Sequence, residues 1–307
     1  MIEVTGLSKT YGRVTAVKDL SLTVRPGTIT GFLGPNGSGK STTMRMIVGL
    51  DRPDAGEALI NGVPYRKLKQ PLRVVGTLLD ATAVHPRRSA RDHLAWIAHS
   101  NGLPAERIDK VLSLVGLVDV QHKKAGGFSL GMSQRLGLGA ALLGDPEVLI
   151  LDEPINGLDP VGIRWMRTLL KQLAGQGRAV LVSSHLLAEM AHTADDLIII
   201  GRGRLLAQTT VHQFTSENTG HRVVARTPDM DRLRDVLARE NITAEAGVDA
   251  DGRAILTISN ASSDAVGALA FNAGVQLSEL SSYTGSLEDA YLRMTSDAVD
   301  YNAQMEA

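Results

Sequence analysis

A glycine-rich segment followed by lysine and serine gives the most direct indication of chemistry in this chain. It runs from Gly34 to Ser41 and fits the pattern G-x-x-x-x-G-K-S/T. Its glycines let backbone N–H groups turn toward an anion, and Lys40 adds a positive charge. A strand-like run ends at Leu33 and a helix-like run extends from Lys40 to Leu50, so the positive end of that helix faces the same anion. The segment predicts a phosphate-binding loop rather than a glycine-rich turn without a ligand.

The residues of this loop have separate predicted tasks on bound ATP and Mg²⁺. Lys40 is expected to reach the β- and γ-phosphates, Ser41 to bind Mg²⁺ through its hydroxyl, and Thr42 to hold the side of the α-phosphate. The predicted nucleotide-binding residues here are Gly34, Pro35, Asn36, Gly37, Ser38, Gly39, Lys40, Ser41 and Thr42.

Two consecutive carboxylates follow an apolar run, Val148–Leu151. Asp152, at the end of a buried strand, suits an anchor for Mg²⁺, which prefers hard oxygen ligands. Side chains alternate along a strand, so Glu153 points elsewhere and can polarise an attacking water as a general base. Taken alone, the pair also fits a solvated strand exit. The phosphate-binding loop upstream favours the catalytic interpretation.

Composition limits the alternatives. The chain has 307 residues, with 43% hydrophobic and 21% charged residues and a net charge of −1, so no global basic field is available to hold nucleic acid. It has no cysteine, which excludes disulfides and cysteine–metal sites. No secretory signal is recognisable, and no apolar run approaches the roughly 18 to 20 residues of a membrane helix. We expect a soluble protein that does not bind nucleic acid.

The elements that position these residues follow from the alternation of strand-like and helix-like runs. Apolar strands separated by helices, without hairpin turns, predict a parallel sheet covered on both faces. Asn61-Gly62 predicts the turn of a hairpin. Predicted strands are Ile2–Val4, Val17–Val24, Thr28–Leu33, Ala58–Ile60, Val148–Leu151 and Ala179–Val182, and predicted helical regions are Ser89–Val120, Leu130–Leu143 and Val161–Leu173.

A change in composition at Gln213–Gly220 predicts a linker to a second, smaller domain. Beyond it, the pattern predicts strand, helix, two strands, helix and strand, the βαββαβ order of a ferredoxin-like α+β unit. The predicted elements are Arg222–Ala225, Met230–Arg239, Ile242–Glu245, Ala254–Ile258, Asp264–Ala273 and Gln276–Leu280, with a last short helix from Ser286.

Phe128–Arg135 completes a series of motifs that resembles the ATP-binding cassette (ABC) ATPases over about Ile2 to Leu206. The segment is similar to the signature loop of that family, which ordinary P-loop kinases and GTPases lack. The resemblance implies an α/β P-loop NTPase core at 1–215, with a helical subdomain at about 81–145 and an antiparallel β subdomain. The accessory domain is expected at 220–307.

The resemblance also assigns residues. Ser129 and Gly131 are expected to bind the γ-phosphate of the nucleotide held by the opposite subunit of a homodimer. Asp159, in the loop after Glu153, is expected to cross the same interface, and His185 to contact the γ-phosphate. Near the start of the chain, Tyr11 resembles the aromatic residue that stacks on adenine and Val17 a residue beside the ribose.

The sequence departs from the family pattern at two places. Asp80 stands where the family usually has a glutamine that senses Mg²⁺ and the membrane partner, and we expect Asp80 to bind Mg²⁺ or water there. Leu130 and Met132 stand in the signature where glycine and glutamine are commoner. Similar variants occur in bacterial exporters of the bacitracin and lantibiotic resistance type.

The function implied is that of an ATP-hydrolysing subunit of an exporter. It would act on a separately encoded transmembrane permease, from the cytoplasmic face of the membrane. The alternatives are a soluble ABC ATPase on ribosomes or in DNA repair, and a nucleotide-dependent regulatory switch without catalysis. The single phosphate-binding loop, the lack of cysteine and the lack of a long insertion argue against the first, and the Asp152-Glu153 pair with His185 argues against the second. The tail, including Ser286–Leu292, resembles the small C-terminal domains of exporter ATPases. Its expected role is packing or dimer stabilisation, with a ligand sensor as the alternative.

Overall fold

The computed structural model describes residues 1–185, 187–218, 222–249, 251–283 and 287–295. The chain divides into two compact units, with the boundary between Thr210 and Val211. None of the helices in the described ranges combines the length and apolar composition that a bilayer span requires.

The strands of the first unit form two sheets. A three-stranded antiparallel sheet has the order β2-β1-β4, and a six-stranded sheet has the order β5-β6-β7-β3-β8-β9. The strands are β1 (Ile2–Tyr11), β2 (Val14–Val24), β3 (Ile29–Leu33), β4 (Ala55–Ile60), β5 (Val75–Leu78), β6 (Val148–Leu151), β7 (Ala179–Ser184), β8 (Asp196–Gly201) and β9 (Arg204–Thr210).

The six-stranded sheet brings the chemical motifs to one edge. Its first five strands are parallel and only β9 is antiparallel to its neighbour. Every residue of β3, β6 and β7 is buried, which confirms the predicted parallel sheet covered on both faces. Leu33 lies opposite Ser184 and Leu151 opposite Val182. The residues after β3, β6 and β7 therefore meet at the carboxyl edge, where open α/β sheets bind ligands.

Seven helices accompany these strands in the described part of the first unit. Three of them, α3, α4 and α5, pack on one another within the predicted helical subdomain. The helices are α1 (Lys40–Ile47), α2 (Pro71–Val74), α3 (Ala90–Ser100), α4 (Glu106–Leu114), α5 (Leu130–Leu142), α6 (Pro160–Gly175) and α7 (Leu187–Thr193).

Two local predictions need correction. Helix α1 ends at Ile47 rather than Leu50, because Gly49 takes a left-handed conformation with φ +69°. The turn at Asn61-Gly62 forms, closed by backbone hydrogen bonds between Ile60 and Val63, but no strand follows it. The antiparallel partner of β4 is instead β1.

The second unit is an antiparallel sheet with helices. Its order β11-β12-β10-β13 places the first and third strands of the βαββαβ series at the centre. Val223, Leu237 and Ile258 belong to its buried core. The elements are α8 (Val211–Asn218), β10 (Arg222–Arg226), α9 (Met230–Arg239), β11 (Thr243–Val248), β12 (Ala254–Ser259), α10 (Ser263–Asn272), β13 (Glu279–Tyr283) and α11 (Leu287–Thr295).

The structure of the second unit differs from two of the sequence predictions. The segment predicted as a linker contains α8, which packs on α11. The last strand lies at Glu279–Tyr283, three residues later than predicted at its start. Gly220 and Ser286, used in the sequence interpretation, lie outside the described residues.

Candidate functional site

The glycine-rich segment forms a loop between β3 and α1. The ammonium of Lys40 donates hydrogen bonds to the carbonyl oxygens of Gly34 (2.6 Å) and Pro35 (3.2 Å). The lysine is only 7% exposed. Burial lowers the pKa of Lys40, while the nearby carboxylates of Glu153 and Asp152 act in the opposite direction. A buried cation is thus held at the loop by carbonyl oxygens and faces two acids.

The loop cannot accommodate side chains at two of its glycines. A Cβ on Gly34 would lie 2.5 Å from the Ser38 Oγ atom and 2.6 Å from the Ile200 carbonyl oxygen. Gly39 has φ +103°, and its Cβ would lie 2.5 Å from the Ala16 carbonyl oxygen. The Ser38 hydroxyl is buried and has no hydrogen-bond partner among the described residues. An orphaned donor inside a tight glycine loop fits a phosphate oxygen as its missing partner.

A cavity of about 260 Å³ opens on this loop. Eight of the residues that line it were predicted to bind nucleotide or to act in hydrolysis; the ninth, Ala16, was not predicted. The lining residues are Ala16, Asn36, Gly37, Gly39, Lys40, Ser41, Thr42, Asp152 and Glu153.

Asp152 is held by hydroxyl groups from two other elements. The Ser41 hydroxyl donates to its Oδ2 atom at 2.6 Å, and the Ser183 hydroxyl, from the end of β7, donates to its Oδ1 atom. Its backbone N–H donates to the Leu78 carbonyl on β5 at 2.7 Å. A hydroxyl and a carboxylate beside a phosphate loop form the hard-oxygen donor set that suits Mg²⁺.

Glu153 is fixed through both its backbone and its side chain. Its N–H donates to the Ser183 Oγ atom at 2.9 Å, and its carbonyl accepts from the Gln134 side chain at 3.3 Å. Its Oε2 atom lies 2.8 Å from Nδ1 of His185. The structure therefore joins two predicted residues, Glu153 and His185, and adds Ser183 and Gln134. Two signals could have drawn attention to these residues: Ser183 lies two residues before His185 at a strand end, and Gln134 lies within the signature segment Phe128–Arg135.

No residue of the signature segment lines this cavity, and Gln134 is its link to Glu153. Ser129 caps α5, and its Oγ atom accepts a hydrogen bond from the Met132 N–H at 3.3 Å. A Cβ on Gly131 would lie 3.1 Å from the Gly157 carbonyl oxygen, so the signature packs on the loop after Glu153. In that loop Asp159 caps α6. None of the three predicted interface residues, Ser129, Gly131 and Asp159, lines the cavity of its own chain.

Tyr11, Val17 and Asp80 also lie outside the cavity lining, as do the predicted residues Gly34, Pro35, Ser38 and His185. Tyr11 is 47% exposed, and its hydroxyl donates to Asp51 at 2.9 Å. Val17 is fully buried; its neighbour Ala16 lines the cavity instead. The Asp80 carboxylate accepts from the N–H and the hydroxyl of Thr82, at 2.7 and 2.6 Å. These bonds lower the pKa of Asp80.

A phosphate loop beside two carboxylates at the carboxyl edge of a parallel sheet defines the class of P-loop nucleoside triphosphatases. Comparisons with known proteins specify the class further. A family model described as ABC transporter matches residues 17–156. Another, described as domain of unknown function (DUF8746), matches residues 221–288.

Individual relatives agree. The chain is 37% identical over 302 residues to the uncharacterized ABC transporter ATP-binding protein YhcH of Bacillus subtilis (strain 168), covering 97% of this chain and 96% of that protein. It is 42% identical over 221 residues to the bacitracin transport ATP-binding protein BcrA of Bacillus licheniformis, covering 71% of this chain and 72% of that protein.

A solved structure has the same fold: the dimeric ATP-binding cassette MJ0796 in a post-hydrolysis state with ADP and Pi. Its TM-score is 0.63 at 23% identity, covering 69% of this chain and 99% of that chain. The chain belongs to the ABC transporter ATP-binding proteins. It is an ATP-binding subunit and a member of the ABC ATPases, which confirms the family resemblance and the cassette fold.

Proposed function

We propose that this chain is one of two identical motor subunits that hydrolyse ATP with Mg²⁺ and drive export through a separate membrane permease. The observation that carries the proposal is the convergence of Lys40, Ser41, Asp152 and Glu153 on one cavity, with His185 bonded to Glu153. Phosphate binding, metal binding and proton transfer each have a group of suitable chemistry within this one site.

Each residue has a task that its contacts support. Lys40, Ser38 and the loop N–H groups bind the phosphates. Ser41 and Asp152 would hold Mg²⁺, which supplies positive charge to the phosphate oxygens when bound. The Glu153 carboxylate accepts a proton from the attacking water. His185, whose Nδ1 atom is 2.8 Å from that carboxylate, orients it and contacts the transferring phosphoryl group with the other side of its ring.

A second copy of the chain completes the site. Ser129 and Gly131 are at a helix N-terminus, which favours anions, yet they do not line the cavity of their own chain. In a head-to-tail pair they would contact the γ-phosphate bound by the partner, and Asp159 would lie at the same interface. The dimeric relative with ADP and Pi supports this arrangement.

The match to the ABC transporter family supports a separate permease as the partner. The subunit would dock on the cytoplasmic face of the membrane. The docking surface we propose lies between Asp80 and Trp96; Trp96 is 56% exposed and carries the Arg88 guanidinium over its ring, a pairing common at interaction hot spots. The similarity to a bacitracin transport protein favours export.

The test is Glu153→Gln in the purified chain. We expect hydrolysis to fall about 100-fold or more because the substitution removes the proton acceptor while keeping the shape of the side chain. ATP should still bind, and light scattering with ATP and Mg²⁺ should show a lasting dimer. Asp195→Asn, a carboxylate on the sheet edge remote from the motifs, is the control. Normal turnover in Glu153→Gln would contradict the assignment of the base.

A further inference from the structure

Glu153 has a backbone conformation that its residue type does not favour. It is one of seven non-glycine residues with positive φ in the described chain, at +48°. Five of the others are Asn or Asp, which tolerate the left-handed region because their short side chains bond locally. A glutamate lacks that advantage. Such a residue persists in this conformation only where its surroundings hold it, and these places are commonly functional.

The hydroxyl of Ser183 is the group that bonds the Glu153 N–H, whereas Gln134 and the Asn156 N–H bond its carbonyl. The Ser183 hydroxyl accepts from the N–H of Glu153 at 2.9 Å and donates to the Oδ1 atom of Asp152. Ser183 is fully buried near the end of β7, whose residue Val182 is in register with Leu151. A single hydroxyl therefore connects two consecutive residues of the neighbouring strand end.

The bond to Oδ1 also decides how Asp152 is oriented. With Oδ1 occupied by Ser183, the other oxygen, Oδ2, faces the Ser41 hydroxyl at 2.6 Å. Without this donor, the carboxylate could rotate about its last bond and lose that alignment. A hydroxyl at this position both accepts and donates, so one group can satisfy the amide and the carboxylate together.

We infer that Ser183 is a positioning residue for hydrolysis: its hydroxyl sets Asp152 for the metal and Glu153 for the water. This inference rests on the roles proposed above for Asp152 and Glu153. The competing explanation is that the hydroxyl only stabilises the fold, as many buried hydrogen bonds do. A structural role predicts a lower melting temperature but unchanged kinetics and metal dependence in the protein that remains folded.

The experiment compares Ser183→Ala, which removes the hydroxyl, with Ser183→Thr, which keeps it. Thr30→Val on the adjacent strand β3 is the matched control because Thr30 is equally buried and its hydroxyl has no partner among the described residues. For each variant we would measure kcat and KM for ATP, the Mg²⁺ concentration for half-maximal hydrolysis, and the melting temperature. Binding of a fluorescent ATP analogue would be titrated in EDTA and in Mg²⁺.

We expect Ser183→Ala to lower kcat about 10- to 100-fold, the range typical of groups that orient metal ligands. The Mg²⁺ requirement should rise, and the tightening of analogue binding by Mg²⁺ should weaken, while binding in EDTA stays unchanged. Ser183→Thr should keep most of the kcat and Mg²⁺ dependence of the unmodified chain, and Thr30→Val should match the unmodified chain in both.

Two results would overturn the inference. One is a folded Ser183→Ala with unchanged kcat and Mg²⁺ dependence. The other is Ser183→Thr behaving like the alanine variant although it melts at the same temperature as the unmodified chain. If Ser183→Thr folds poorly, the binding of the analogue by Ser183→Ala in EDTA and in Mg²⁺ still decides the question. Loss of hydrolysis in Glu153→Gln but not in Ser183→Ala would leave the proposed function intact and reject Ser183 alone.

Discussion

The contact between Gly157 and Leu130 joins the signature segment to the loop after Asp152 and Glu153, and it permits a quantitative prediction. Gly157 has φ +73°, and a Cβ there would lie 2.3, 2.5 and 3.0 Å from the Cδ2, Cγ and Cβ atoms of Leu130. The collision involves the whole leucine side chain, so a rotation of its tip does not relieve it. Gly157→Ala must therefore displace Leu130 or its own loop.

The expected cost has two parts. An alanine in the left-handed region costs about 1–2 kcal/mol, and overpacking adds about 1–3 kcal/mol. For a unit of about 200 residues, each 1 kcal/mol corresponds to roughly 2–4 °C. We expect the melting temperature of Gly157→Ala to fall by roughly 4–20 °C. Hydrolysis should fall as well, because the Gly157 carbonyl lies against Gly131.

A double-mutant cycle isolates the steric part. Leu130 is 49% exposed, so Leu130→Ala alone should change the melting temperature little. In Gly157→Ala/Leu130→Ala the colliding Cγ and Cδ2 atoms are gone, while the backbone cost remains. The double variant should recover about half of the loss, measured by thermal denaturation of the nucleotide-free chain. Strictly additive shifts would show that the two residues do not compete for the same space, and the reasoning would fail.

Two further predictions concern ionisable groups. Asp80→Gln should leave ATP binding intact and change permease-stimulated hydrolysis, because it removes a negative charge beside the proposed docking surface; stimulation equal to that of the unmodified chain would exclude Asp80 from coupling. Burial lowers the pKa of His93, whose folded form is therefore preferentially neutral. The unfolded chain then binds more protons below about pH 6.5, and stability should decline as pH falls from about 7 to 5. His93→Leu should weaken the dependence of the melting temperature on pH over that range. An unchanged slope would show that other groups cause the dependence.

The sequence predicts most accurately where one local signal dominates. Val148–Leu151 is a strand with the predicted ends, because an uninterrupted apolar run is followed directly by two acids. Helix α9 also has its predicted ends, Met230 and Arg239. In contrast, the polar composition of 213–220 predicts a linker, although its described part belongs to α8, whose Phe214 is buried. Tertiary packing, which composition does not express, decided that segment.

The site shows the same division. The glycine, lysine and carboxylate positions form patterns, and the structure brings these residues to one cavity. Ser183 lies two residues before His185 and Gln134 lies within the signature segment, but the sequence does not indicate what either contacts, because each bonds to a residue in another element. The choice between Ala16 and Val17 depends on which face of β2 is covered. Alternation along a strand gives the two faces but does not identify the one that lines the cavity.

The cap of α5 shows why the signature position suits serine. The Ser129 Oγ atom accepts the Met132 N–H, which uses the hydroxyl as an acceptor and leaves its proton free. The same side chain can therefore begin the helix in the isolated subunit and donate to a phosphate oxygen in a closed pair. Aspartate, which caps α6 at Asp159, is an equally good helix cap but has no proton to donate when ionised. At the signature position it would place a negative charge against the phosphate. Serine and aspartate would both cap α5, but only serine could also donate to the phosphate oxygen in the proposed dimer. That need for a donor explains why the first residue is Ser129, whereas α6 can begin at Asp159.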